Sequence, residues 1–251
     1  MARPRSRRLR AIVLDRTKLA EQDLILTLLA ESGERVSAVA RGARKPGGRL
    51  AARSELACET DFLLARGRGR GLEVVSEASL VDGHPRLRGE LDRLSAASAV
   101  LEAARLTCFE DAEDPFLHPI CSRALRACEE AVDQPRLDLA VAAYVFKVLA
   151  HGGWRPELSS CIACGDHDVS YFSAAAGGTL CSSCAKDVPG AQQLSASEIG
   201  WVASLLHLTF DDLLASQIDV TTSTTLVSLA HTWAATHLDA RLRAMEFMLS
   251  L

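Results

Sequence analysis

Four of the chain's eight cysteines fall in two Cys-x-x-Cys pairs, Cys161 with Cys164 and Cys181 with Cys184, sixteen residues apart. Two residues between thiolates let both sulfurs of a tight turn face one ion, and a second pair closes a tetrahedron. Gly165 follows the first pair, and Gly177 and Gly178 lead into the second. Between them, YFS (171–173) and GTL (178–180) read as short strands. The segment is therefore expected to form a two-knuckle zinc ribbon, with one structural Zn2+ per chain held by Cys161, Cys164, Cys181 and Cys184. The alternative is four buried free thiols acting as small hydrophobes, but two matched pairs at ribbon spacing are a metal signature. A thioredoxin-like redox motif would need one pair on a βαβ unit, and none is legible here. Cys58, Cys108, Cys121 and Cys128 stand singly in apolar surroundings and are expected in the core.

A catalytic zinc keeps an open position for water or substrate, whereas four thiolates fill the shell. His167 lies inside the knuckle and could replace one thiolate, but the four thiols are better placed. A zinc deaminase would need a His-x-Glu element; none occurs, and His84 and His118 are each followed by proline. Phosphate-loop, Gly-x-Ser-x-Gly and His-Glu-x-x-His motifs are also absent. The metal is expected to be a staple and the chain not to be an enzyme. A zinc-dependent hydrolase or nucleic-acid-modifying enzyme is the reading these features weigh against.

Charge is distributed unevenly. Residues 1–70 carry sixteen Lys/Arg against eight Asp/Glu, and the remainder twelve against twenty-four. Such asymmetry points to a polyanionic partner for the first segment. The basic residues cluster at 3–10 (RPRSRRLR), 41–49 (RGARKPGGR) and 66–70 (RGRGR). Gly and Pro interleave the last two, so they are expected to be loops whose backbone can approach phosphates. The candidate DNA contacts are Arg7, Arg8 and Arg10, then Arg41, Arg44, Lys45 and Arg49, then Arg66, Arg68 and Arg70. Solvated surface charge is the bland alternative for any single run; three runs in seventy residues favour nucleic acid.

The elements that must position these residues follow from hydrophobic period. Segments 11–15, 23–31, 35–42, 56–65 and 72–80 are apolar or alternating runs separated by turn signals. In the fourth, Leu56, Cys58, Phe62 and Leu64 are expected on one face, interrupted by Thr60, with Glu59 and Asp61 on the other. Five short strands with a long basic connection between the third and fourth fit a Greek-key barrel of the OB type, although pattern alone leaves an SH3-like barrel open. After residue 84 the period becomes helical over 89–109, 114–132 and 136–153. Pro115, Pro119 and Pro135 mark starts, and Gly152-Gly153 a stop. Ser195 and Glu198 form a capping box, and a last helical stretch is expected from about Thr222 to the end. The fold class is thus α+β, and the expected division is 1–82 barrel, 83–153 helical, 154–190 zinc ribbon and 191–251 helical. No apolar run approaches a membrane span, and the short AIVL run after the basic start is too brief for a signal peptide. A cytoplasmic, nucleoid-associated protein is expected, with its thiols kept reduced.

Three stretches resemble the RecO family of bacterial recombination mediators. VARGARKPGGRL (39–50) is similar to that family's basic segment after the third barrel strand. FKVLAHGGWRPELSSCIACG (146–165) is similar to its helix leading through Gly and Pro into the first knuckle, and YFSAAAGGTLCSSC (171–184) to its closing Cys-x-x-Cys. Order and spacing agree along nearly the whole chain, with little added by the last sixty residues. Two departures touch the DNA surface: Gly48-Arg49 stands where the family commonly has Ser-Arg, and LACETDF replaces a longer aromatic-bearing stretch. The resemblance implies binding of single- and double-stranded DNA, strand annealing, and work with RecR in loading RecA onto DNA coated by single-stranded DNA-binding protein. It also places that protein's acidic, apolar tail on the helical domain, where Arg123, Arg126, Arg136 and Lys147 are candidate cations. A zinc-ribbon transcription or scaffold protein without annealing activity is the alternative.

Overall fold

Strand β1 (Ser6–Lys18) is the seam of a closed barrel, pairing with β2 (Leu24–Ala30) on one side and β4 (Glu59–Ala65) on the other. With β3 (Arg35–Ala40) and β5 (Glu73–Asp82), the order is β1-β2-β3-β5-β4, β3 and β5 meeting in parallel. The structure is a computed structural model and describes residues 6–67 and 72–251. Five strands closed in this Greek-key order make an OB-type barrel, with no unpaired edge left open. β1 starts five residues before the apolar run that announces it. Its basic start obeys the strand period of two, with Arg8 and Arg10 exposed while Leu9 packs against the core.

Inward-facing Ala11, Val13, Leu26, Leu28, Phe62 and Leu64 fill the barrel. Thr60, the polar interruption in β4, is fully buried and donates its hydroxyl to the Arg53 carbonyl at 3.1 Å. That bond offsets the cost of burying a hydroxyl. Leu56 stands outside β4 and is only half-buried. Glu59 corrects the strand reading: its neighbour-but-one Asp61 faces solvent, yet Glu59 is buried. Ser122 donates to its Oε2 at 3.0 Å, and His118 Nε2 lies 3.8 Å from Oε1. Both residues come from helix α2 (Leu117–Glu130), which no strand periodicity could announce.

The chain forms two compact units. One comprises Met1–Glu90 with Leu101–Glu129, and the other Leu91–Val100 with Glu130–Leu251. Helix α1 (Leu91–Thr107) therefore contributes its first part to the second unit and its last turns to the first.

Within the second unit, α3 (Gln134–His151) is buried on nearly every face. Asp133 caps its start by accepting the Arg136 N–H at 3.1 Å, and Gly152-Gly153 end it. It packs on α4 (Ala196–His207), α5 (Phe210–Ala215) and α6 (Val220–Leu238). The Ser195–Glu198 capping box is formed in both directions. A second box, Thr209 with Asp212, starts the short α5 that periodicity passed over. The final helical stretch is broken at Asp239, in the left-handed region at φ +46°, before α7 (Arg243–Met248); Asp is among the few residues that tolerate this conformation.

Asp138, buried on α3, accepts hydrogen bonds from Ser223 Oγ and Gln134 Nε2, each at 2.8 Å. Burial raises its pKa. A carboxyl whose folded pKa exceeds its unfolded value of about 3.9 loses stability for the fold as pH rises from that value through the folded one, because the native state must ionise a desolvated group. Asp138→Asn can still accept from Gln134 and donate to Ser223 Oγ. Thermal melts of the variant are expected to decline less than wild type as pH rises above about 4; superimposable profiles would contradict this.

Candidate functional site

Two strands and two knuckles build the metal site. β6 (Tyr171–Ser173) and β7 (Gly178–Leu180) form the expected hairpin, and a third strand, β8 (Gln192–Gln193), extends it. Gly165 closes the first knuckle, donating its N–H to the Cys161 carbonyl at 2.7 Å with φ +79°. Gly178 lies so close to Glu157 that a Cβ there would meet the Glu157 carbonyl oxygen at 2.2 Å. The glycine lets the segment leading from α3 dock on the hairpin, with Thr179 N–H donating to Glu157 at 2.8 Å.

These constraints bring Cys161, Cys164, Cys181 and Cys184 together, with all four sulfurs within 4.8 Å of one another. The Cys164 and Cys181 sulfurs are 3.7 Å apart. Tetrahedral thiolates at about 2.3 Å from one ion are separated by about 3.8 Å, so the set fits a single metal ion. The thiols perturb one another: Cys161 is lowered to about 6, chiefly by the backbone N–H of Cys181, and Cys184 is pushed up to about 12, chiefly by Cys164. Four thiolates at this spacing need a cation among them. His167 is exposed, with Nδ1 3.1 Å from the Ser159 carbonyl oxygen, and is not part of the sulfur group. Cys58, Cys108, Cys121 and Cys128 are all buried, as expected.

The basic loop between β3 and β4 makes a groove of about 710 Å3. Arg41, Lys45, Arg49 and Arg53 line it, facing Ser76 and Glu77 of β5. Two contacts pin the loop to the β1–β2 turn: Gly42 N–H donates to Asp23 Oδ1 at 2.8 Å, and Arg44 N–H to the Gln22 carbonyl at 3.0 Å. Exposed Arg44 also turns its guanidinium back to that turn, donating to the Glu21 carbonyl at 2.7 Å. Gly48 has a structural reason here: a Cβ would lie 2.8 Å from the Lys45 carbonyl oxygen. Arg53 escaped the sequence reading because a lone arginine in AARSEL makes no run. Its guanidinium donates to the Arg49 carbonyl, and its buried Nε has no hydrogen-bond partner among the described residues.

A second groove, of about 740 Å3, holds Arg8 and Arg10 with Glu31, Asp61 and Glu77. Glu77 and Ala78 line both grooves. Arg10 is bound to Asp61 at 2.9 Å, and Arg7 to Glu73 at 2.8 Å and Glu34 at 3.3 Å. Arg66 is exposed just beyond β4, while Arg68 and Arg70 lie outside the described residues.

The four candidate partner cations divide between the two units. Arg123 and Arg126 stand on α2 in the first unit, Arg126 at 3.7 Å from Asp82. Arg136 and Lys147 stand on α3 in the second. Arg136 binds Asp133 at 2.6 Å and donates to the Leu214 and Ser216 carbonyls at the end of α5. Lys147 Nζ donates to the Leu206 and Leu208 carbonyls at 3.0 and 2.7 Å, and burial lowers its pKa. Cations at helix C-termini satisfy carbonyls that lack intrahelical partners.

An OB-type barrel with a cationic groove, in one chain with a helical unit bearing a ribbon whose four thiols fit a metal ion, defines the class. Family comparison narrows it. The models for the N-terminal and C-terminal parts of recombination protein O match residues 5–84 and 88–246. The DNA repair protein RecO of Desulforudis audaxviator is 30% identical over 240 residues, 95% of this chain and 94% of that protein. That of a Roseiflexus species is 37% identical over 186 residues, 73% and 64% respectively. That of Bifidobacterium longum subsp. infantis is 28% identical over 239 residues, 94% and 96%. The chain belongs to the recombination protein O family. Among the described residues, no helix is long and apolar enough to cross a membrane.

Proposed function

We propose that this chain is a non-enzymatic DNA-binding mediator of recombinational repair, acting in the cytoplasm at the nucleoid. It binds single- and double-stranded DNA, anneals complementary strands, and works with RecR to load RecA onto DNA coated by single-stranded DNA-binding protein. The observation that carries this reading is the groove gathering Arg41, Lys45, Arg49 and Arg53 on the barrel. OB barrels that grip single strands usually add aromatic platforms. Phe62, the aromatic residue of segment 1–82, is buried at 1% exposure, so charge must hold the DNA. Guanidinium and ammonium groups on phosphate oxygens read no base edges. Slight sequence preference and comparable duplex binding suit a protein that must bring any two strands together. The four-cysteine ribbon holds one structural Zn2+ in this reading, tying α3 to the hairpin rather than reacting. The tail of single-stranded DNA-binding protein is assigned to the helical part, with Arg123, Arg126, Arg136 and Lys147 as candidate cations.

Annealing of complementary strands, bare and coated, with and without RecR and with no nucleotide added, tests the reading. Annealing without nucleotide is expected; its absence would leave a zinc-ribbon scaffold. Five phosphate contacts give a log–log salt slope of roughly −3.5 on single strands. A nearly flat salt response would show that the DNA surface lies elsewhere.

A further inference from the structure

Besides the four thiols, one other group of donors among the described residues converges closely: Asp82, His84 and Glu129, with one ligand atom of each within 4.8 Å of the others. All three belong to the first compact unit. Asp82 ends β5, His84 starts the turn that follows, and Glu129 lies in the last turn of α2. The imidazole is 1% exposed, and its Nδ1 faces both carboxylates, 2.9 Å from Glu129 Oε2 and 3.7 Å from Asp82 Oδ1. Donors about 2.1 Å from one ion span such separations at angles between about 90° and about 120°.

Each carboxylate is held by a backbone donor. His84 N–H donates to Asp82 Oδ1 at 3.0 Å, and Arg86 N–H to Glu129 Oε1 at 2.9 Å. Arg126 approaches the other Asp82 oxygen, Oδ2, at 3.7 Å, leaving Oδ1 toward the imidazole. Outer contacts of this kind orient metal ligands. His84 also sits in the left-handed region, φ +43°, which is uncommon for a residue other than glycine. Asp82, one-third exposed, leaves a side open to water for the remaining coordination positions.

We propose that Asp82, His84 and Glu129 bind one divalent transition-metal ion, Mn2+ or Zn2+, separate from the thiol site. One imidazole with two carboxylates suits these ions, whereas Mg2+ and Ca2+ prefer oxygen donors alone. The ion ties the end of β5 to α2. The proposal does not rest on DNA binding.

Mn2+ is the probe, because it does not displace zinc from thiolates. Zinc-loaded full-length protein is titrated with Mn2+, and the free ion followed by electron paramagnetic resonance. One bound Mn2+ per chain is expected, with the melting temperature rising as it binds, and binding about ten-fold weaker or worse in Glu129→Gln and Asp82→Asn. The more exposed Asp82 keeps the test decisive if Glu129→Gln fails to fold. No Mn2+ uptake by wild type at millimolar concentration would overturn the proposal, leaving a hydrogen-bonded His–Glu pair. Undiminished uptake in both variants would overturn it equally.

Discussion

Cys161→Ser is expected to lose the ribbon's metal and to melt well below wild type, with DNA affinity at the barrel little changed. Cys161 is 2% exposed and begins the first knuckle. Around it, Leu180, Cys181 and Ala185 are the other buried members of the ribbon's cluster, too few to hold three short strands alone. Binding of structural zinc is worth about 10–16 kcal/mol in isolated zinc modules, and there it is folding free energy. Losing even several kcal/mol of it, at about 2–4 °C per kcal/mol for a chain of this size, lowers the melting temperature by about 10 °C or more. Elemental analysis and circular dichroism melts check both halves. Wild type purified without chelator yet free of metal, or an unchanged melt in the variant, would dismiss the staple.

The second large effect is on affinity. Lys45→Ala/Arg49→Ala removes two exposed cations from the loop groove without touching Arg44, whose guanidinium is engaged with the β1–β2 turn. Each lost phosphate contact removes about 0.7 from the single-strand salt slope, so the slope falls from roughly −3.5 to roughly −2. At about 0.1 M salt the same loss weakens binding about 25-fold. Arg241→Ala, which breaks an exposed pair with Glu246 in the other unit, is the control and should leave affinity alone. Fluorescence titration of labelled strands at several salt concentrations reads both quantities. An unchanged slope in the double variant would move the DNA surface off this groove.

Much of this was legible beforehand because the signals are local. A Cys-x-x-Cys pair constrains its own turn, and two pairs flanking a hairpin have little else to do than share an ion. The barrel strands showed because a half-buried strand alternates, as in ETDFLLA, and the capping box showed because Ser195 and Glu198 are three residues apart. Where periodicity misled, a partner distant in sequence had intervened. Glu59 follows the outward parity of its strand and is nonetheless buried, because Ser122 and His118 meet it from α2.

By itself the sequence determined most element types, the four candidate thiol ligands and the concentration of positive charge in the first seventy residues. These depend on spacing, period and composition, which the chain carries residue by residue. Only the tertiary structure decided which charges are available. Arg7 and Arg10 are engaged by Glu73 on β5 and Asp61 on β4, and Arg136 and Lys147 by helix-end carbonyls. Arg53, unmarked by any run, joins Arg41, Lys45 and Arg49 in one groove. The convergence of Asp82, His84 and Glu129 likewise needed the fold, since forty-five residues separate His84 from Glu129 and only the packing of α2 closes that gap. A side chain's charge is written in its residue type, but whether that charge faces solvent, an opposite charge or a backbone carbonyl depends on strands and helices far away along the chain.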